Sequence, residues 1–387
     1  MLTHLQVDGF RRLNGVDLAL RPLNVLIGPN GSGKTSLLDA VWLLRPCWHG
    51  ALRVWFEHHG GFAQNVSNLN VQSGRRMTLS YEVTDTNSES VAYLVSLQER
   101  GPSYSIESET LDLKRATGSR LEAVLKRNAQ TAMVQTISTI HESKWESREA
   151  ESDEEWGESA LAWAPWARVV LGSTYKHSEI ARFGVLEVGP QAPVRLPGQL
   201  GSVTVPRFDG SDLASCLYTL RESHPESFEA VEAALRSAFL EFERLGFPPV
   251  AAGMIVLTWK DRTSSQAYYV NQLSEGTLRF LWLVTILTSP GLPPVTIIDE
   301  PEVSLHPRML MILAELMREA SLRTQLFVAT HSATLIGFLE PKEVLAINRD
   351  EETGNATFQW ADDLDLEAWL RDYNLGELWQ IGQIGGR

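Results

Sequence analysis

Apolar and polar residues alternate across Leu5, Val7 and Phe10, and again across Val16, Leu18 and Leu20. This period of two predicts half-buried strands joined by a turn at Asn14-Gly15. The run Leu23-Asn24-Val25-Leu26-Ile27 is apolar almost throughout and predicts a buried parallel strand, whereas 36–44 carries its apolar residues at helical spacing. Residues 45–75 are rich in turn formers and show no period. Strand patterns return at 77–83, 91–98 and 104–113, spaced as an antiparallel meander and therefore expected to form a second sheet. We expect a helix over 119–140, a mobile loop or solvated helix in the acid-rich 142–158, and a linker or irregular crossing in the Pro- and Gly-rich 190–206. Helical spacing resumes over 211–245, and a hairpin is expected from 254–259 and 267–270. A helix over 278–287 and buried strands at 295–300 and 325–329 complete the pattern.

Where the buried strand 23–27 gives way to the helix at 36, the chain reads Gly28-Pro29-Asn30-Gly31-Ser32-Gly33-Lys34-Thr35, then Ser36, which fits GxxxxGK[ST]. Glycines let backbone N–H groups turn inward around an anion, and the following helix N-terminus adds positive potential. Lys34 supplies a point charge for the β- and γ-phosphates of ATP, and the Thr35 hydroxyl a ligand for Mg²⁺. Arg11, in Phe10-Arg11-Arg12, lies near the start of this site and could reach a phosphate or lie against the base; a surface arginine at a hairpin explains it equally well.

Three further stretches gain weight from their order. Leu273-Ser274-Glu275-Gly276-Thr277 opens the 278–287 helix, an anion-binding arrangement that alone is only a helix cap. The strand 295–300 then ends in Asp299-Glu300. A carboxylate at such a strand end can hold Mg²⁺ and its neighbour can polarise an attacking water, so Asp299 is assigned to the metal and Glu300 to the water. The last buried strand ends at Thr330-His331-Ser332, the distance expected of a γ-phosphate sensor.

Together these motifs resemble the Walker A, signature, Walker B and switch-histidine motifs of ABC-type ATPases. Phe10-Arg11 and the run from Asp299 through Pro301, Ser304 and His306 to Pro307 resemble the RecF, SMC and OLD branch. The Tyr373-Asn374-Leu375-Gly376-Glu377-Leu378-Trp379 segment resembles the ends of stand-alone AAA-family ATPases of that branch. Departures are Glu275 and Thr277, where transporters carry Gly and Gln, and the Q-loop glutamine, for which Gln64 is a candidate. The resemblance implies an α/β P-loop ATPase head: a mixed sheet with flanking helices, an antiparallel β part and a helical insertion. The core is expected at 1–60 and 250–387, the antiparallel part at 61–118 and the insertion at 119–249. It also implies a homodimer that closes head-to-tail on ATP, with Ser274 and Gly276 meeting the partner's γ-phosphate, Glu300 activating water and His331 sensing the γ-phosphate.

Composition narrows the reading. A net charge of −14 over 387 residues argues against a surface coated in positive potential, though Lys114, Arg115, Arg120, Lys126 and Arg127 form a candidate phosphate-contacting patch. Cys47 and Cys216 suggest neither disulfide nor zinc site. No stretch is long and apolar enough to cross a membrane, and we expect a cytoplasmic protein. There is no heptad run for a long coiled coil, and the segment after His331 is too short for the nuclease domain of OLD proteins, so the effector, a nuclease or toxin, is expected to be a separate polypeptide. DNA is the candidate substrate, in repair or anti-phage defence. The alternatives are an ATP-gated scaffold that controls a partner without binding DNA, and a transporter subunit.

Overall fold

The computed structural model describes residues 1–68, 75–84, 90–114, 121–128, 132–138, 142–148, 158–159, 176, 178–251 and 253–385. The hairpin β1 (Leu2–Asp8) and β2 (Val16–Ala19) leads into β3 (Leu23–Ile27) and α1 (Lys34–Trp42). The turn-rich segment beyond α1 forms three short helices, α2 (Leu44–His49), α3 (Leu52–His58) and α4 (Phe62–Asn65). The meander follows as β4 (Arg76–Thr84), β5 (Ser90–Arg100) and β6 (Ser103–Lys114). It continues through β7 (Leu121–Asn128), β8 (Ala132–Ser138) and β9 (Glu142–Arg148), giving one eight-stranded antiparallel sheet in the order β2-β1-β4-β5-β6-β7-β8-β9.

Two expectations are corrected there. Residues 119–140 carry strands, not a helix, because their period is two: Leu125 and Arg127 point inward while Lys126 between them is exposed. The Arg127 guanidinium lies 3.6 Å from the Glu109 carboxylate, both side chains fully buried, so this cation is not part of a surface patch. Arg115 and Arg120 lie outside the described residues. The acid-rich stretch begins as β9, paired antiparallel with β8, and its last residue, Glu158, is engaged rather than solvated. The Glu158 carboxylate accepts the N–H groups of Leu52 (2.8 Å) and Arg53 (3.0 Å) at the start of α3. Residues 149–157 lie outside the described residues.

The second sheet is built from strands far apart in the chain. They are β10 (Ile180–Phe183), β17 (Val295–Asp299), β18 (Gln325–Ala329), β3, β19 (Val344–Arg349) and β20 (Ala356–Trp360), in the order β10-β17-β18-β3-β19-β20. The first five are parallel and β20 is antiparallel. Strand β10 falls inside the expected insertion, yet it is the neighbour of β17. Between them lie β11 (Gly198–Gln199), α5 (Leu213–Ser223), α6 (Pro225–Ala238), β12 (Phe242–Gly246), β13 (Pro249–Ala251), β14 (Met254–Ile255), β15 (Thr258–Asp261), β16 (Tyr268–Tyr269) and α7 (Glu275–Thr288). The helices α8 (Pro307–Ser321), α9 (Ala333–Ile336) and α10 (Leu375–Gln380) complete the chain.

Both faces of this sheet are covered, which is why its strands read as continuous apolar runs. Leu26, Ile297 and Phe327 face a core shared with α1 and the antiparallel sheet. Val25, Ile298 and Val328 face α7 and α8. The two sheets are also tied by Gln325, whose Oε1 accepts from Leu2 N (2.8 Å) and whose Nε2 donates to Leu2 O (2.7 Å). Among the described residues no helix is long and apolar enough to cross a membrane.

Glu109→Ala should cost about 3–5 kcal/mol, because Arg127 is left buried without its carboxylate, whereas Lys126→Ala should stay within about 0.5 kcal/mol. Urea denaturation midpoints of the two variants measure the difference.

Candidate nucleotide site

Parallel pairing sets three strand ends level. Leu26 is in register with Ala329, and Ala329 with Asp299. The residues that follow each position therefore emerge together at the carboxyl edge of the sheet: the 28–35 loop after β3, His331 after β18 and Glu300 after β17. That edge is where ligands bind in open parallel sheets.

The loop closes tightly on the neighbouring strand. Gly28 has φ +153°, and a Cβ there would lie 2.3 Å from the Ile347 carbonyl oxygen on β19, so only glycine fits. Gly33 is the N-cap of α1, while Asn30, Gly31 and Thr35 are exposed and Ser36 is half-buried. Lys34 Nζ folds back to donate to Gly28 O (2.7 Å) and Pro29 O (3.0 Å). Burial lowers its pKa to about 8, against the opposing pull of Asp299, Glu300 and Glu302. Ser32 Oγ is buried with no hydrogen-bond partner among the described residues, as is Glu302 Oε2. Such orphaned polar atoms, one of them in the loop itself, suit a site completed by a polar ligand.

Glu300 adopts a left-handed backbone, φ +50°, that is costly for a residue with a Cβ. Its N–H donates to Ala329 O at 2.9 Å, and its side chain is exposed at the sheet edge. Glu302 Oε1 accepts the His331 N–H at 2.7 Å, so the loop after β17 holds the backbone of the histidine after β18. Ser332 then caps α9 by accepting Leu335 N–H at 3.1 Å. The short α10 lies against this turn so closely that a Cβ at Gly376 would sit 1.9 Å from Ala333 O.

Two residues missed in the sequence join these parts. Asp39 of α1 is 3% exposed and receives Arg11 on one oxygen and Arg182 of β10 on the other. Arg182 also lies 3.7 Å from the Asp299 carboxylate. Burial raises the pKa of Asp299, with Arg182 opposing and Glu300 adding to the rise. Arg11 is thus held by Asp39 and by Asn65 (3.0 Å) rather than standing open toward a phosphate. The missed pair did leave a signal: Asp39 interrupts the apolar run Leu37 to Val41, and Arg182 sits inside the short Ile180–Phe183 strand.

Ser274 and Gly276 form a second locus. Ser274 caps α7 by accepting Thr277 N–H (3.1 Å), and the two hydroxyls lie 2.7 Å apart. A Cβ at Gly276 would lie 2.5 Å from Ser304 O, and Ser304 itself has φ +64°. Arg279 of α7 donates to Ser304 Oγ and to Leu186 O (3.1 Å). The start of α7 is therefore seated on the loop that follows Asp299-Glu300. Gln64 is exposed on α4.

A family model described as "AAA domain, putative AbiEii toxin, Type IV TA system" matches residues 23–337, from β3 past α9. The chain belongs to this AAA-domain family. Local likeness extends to the DNA replication and repair protein RecF of Erwinia tasmaniensis, 54% identical over 44 residues, which are 11% of this chain and 12% of that protein. The OLD nuclease of Thermus scotoductus is 52% identical over 44 residues, 11% of this chain and 8% of that protein. The chain thus matches only about a tenth of the length of these relatives. Among solved structures, an SMC head bound to the C-winged helix domain of ScpA superposes with a TM-score of 0.53 at 13% identity, covering 94% of this chain and 99% of that one. The expected ATPase head is borne out by the AAA-domain family match and by the fold it shares with an SMC head, while the likeness to RecF and OLD proteins is local.

The Thr35 hydroxyl and the Asp299 carboxylate are hard oxygen donors that suit Mg²⁺, an ion that keeps several waters and takes few protein ligands. The AAA-domain fold presents both at the same sheet edge. Arg182→Ala should destabilise the chain by about 1.5–3 kcal/mol, the range for hydrogen bonds to charged groups. Arg182→Lys should recover only part of this, because an ammonium cannot span Asp39 and Asp299 as a fork does. Thermal midpoints of both variants, with and without Mg-ATP, are the measurement.

Proposed function

We propose that the chain binds Mg-ATP on residues 28–36 and hydrolyses it within a head-to-tail homodimer, acting on or sensing DNA in repair or anti-phage defence with a separate effector protein. The observation that carries this reading is the level register of β3, β18 and β17, which delivers the phosphate loop, His331 and Glu300 to one edge. Backbone N–H groups of 28–34, Pro29 excepted, and the Lys34 ammonium receive the phosphates. Thr35 and Asp299 would hold Mg²⁺, which neutralises phosphate charge when bound. Glu300, exposed at the strand end, accepts a proton from the attacking water, and His331 stands beside it to meet the γ-phosphate. Ser274 and Gly276, whose bonds lie within their own turn and against Ser304, are left to complete the site of a second protomer.

The DNA part of the reading leans on the printed roles of RecF and the OLD nuclease. A second reading, an ATP-gated scaffold that controls a toxin or nuclease without touching DNA, is favoured by the toxin–antitoxin wording of the family description. The net charge of −14 and the burial of Arg127 also favour it.

Lys34→Ala should abolish ATP binding. Glu300→Gln should bind ATP, lose about 10²–10⁴-fold in turnover and accumulate as a dimer on size-exclusion chromatography. Hydrolysis by wild type, with and without linear double-stranded DNA at low and physiological salt, separates the two readings. Stimulation that weakens with salt supports DNA action; indifference to DNA supports the scaffold.

A further inference from the structure

The ladder between β17 and β18 runs one step past the pair Asp299 and Ala329, because Glu300 N–H donates to Ala329 O at 2.9 Å. In a parallel ladder the residue that donates to position 329 would also accept the N–H of position 331. Glu300 does not. Its left-handed backbone, φ +50°, turns the carbonyl away, and that carbonyl accepts Val303 N–H (3.4 Å) instead. The His331 N–H is taken by Glu302 Oε1 at 2.7 Å, so a side chain stands in for the missing carbonyl. The loop is wound to deliver it: Pro301 is buried, and Glu302 O accepts Leu305 N–H at 3.0 Å. The amides on either side of His331 are fixed from elsewhere, Thr330 N–H by Leu26 O (3.1 Å) and Ser332 N–H by Thr330 Oγ1 (3.0 Å). Of these three amides, only that of His331 is set by the loop after β17. Glu302 Oε2, buried without a hydrogen-bond partner among the described residues, makes this a costly way to hold one N–H.

We infer that Glu302 is a positioning residue for ATP hydrolysis, which fixes the main chain of His331 relative to Glu300 so that histidine and carboxylate meet the γ-phosphate and its water as one unit. This rests on the ATPase reading and adds to it a residue that acts through His331. The role needs reach rather than charge: an oxygen acceptor at the end of two methylenes, placed where the carbonyl of Glu300 would otherwise be. A shift of the histidine by about 1 Å costs turnover on the order of 10²-fold. ATP binding belongs to residues 28–36 and is left alone.

The test is steady-state ATP hydrolysis by full-length variants. Glu302→Ala should lower kcat about 10²-fold with KM for ATP little changed. Glu302→Asp keeps the charge but is one methylene short of the His331 N–H, and should lose turnover likewise. Glu302→Gln keeps the acceptor and the reach, and should recover most of the loss. An active Asp variant beside an inactive Gln variant overturns the inference, as does a loss that appears in KM instead of kcat. A double-mutant cycle with His331→Ala separates action through the histidine from a general disturbance of the loop. Adding Glu302→Ala to His331→Ala should change kcat at most about twofold, whereas independent effects would multiply; a second full loss overturns the inference with the ATPase reading intact. Wild-type protein that fails to hydrolyse ATP, or hydrolysis indifferent to Glu300→Gln, overturns the ATPase reading, and the role of Glu302 with it.

Discussion

Everything at the candidate site depends on hydrogen bonding between three parallel strands, one of which lies hundreds of residues before the other two. The ladder fixes Leu26, Ala329 and Asp299 on one line, and a shift by one residue on any strand would reverse which side chains face each core. Burial on both faces makes such a shift expensive, since Val25, Val328 and Ile298 would exchange places with Leu26, Phe327 and Ile297. The hydrophobic cores therefore do more than stabilise the sheet. They hold the 28–35 loop, Asp299-Glu300 and His331 at one level, which the chain's own loops could not do alone.

A second constraint is electrostatic. Asp39 lies almost wholly buried on the helix that follows the phosphate loop, and a carboxylate in that position must be paired. Arg11 and Arg182 supply the charge from opposite directions, one from the loop after β1 and one from edge strand β10. Because Arg182 also approaches Asp299, the ionic chain runs from the N-terminal hairpin, through the loop helix, to the end of β17. Packing of the antiparallel sheet against α1 and the disposition of the Asp299 carboxylate are thereby linked through charge as well as through apolar contact.

Much of this was legible in the order of residues. The loop at 28–35, the apolar strand before it and the carboxylates Asp299 and Glu300 at the end of β17 announce themselves by local pattern, because buried parallel strands must be apolar and tight turns must be glycine-rich. The helix expected at 119–140 failed for a reason visible in Arg127: a buried cation paired with Glu109 on the next strand looks, in one dimension, like an exposed charge on a helix. Glu158 was misread in the same way, since its partners are backbone N–H groups roughly a hundred residues earlier. Strand β10 was overlooked because four residues at a sheet edge carry too little pattern, yet it contributes Arg182. Long-range pairing of polar groups leaves no periodic trace, and that is where sequence reading stopped.

The contact between Gly376 and the Ala333 carbonyl gives the end of the chain a mechanical grip on the site. Helix α9 is a single turn, capped by the residue after His331, so it has little length over which to absorb a push. A displacement applied to α10 passes through that carbonyl to the histidine strand with few compliant parts between. A load on the last residues, whether from a bound protein or a fused label, is thus a load on the nucleotide edge of the sheet.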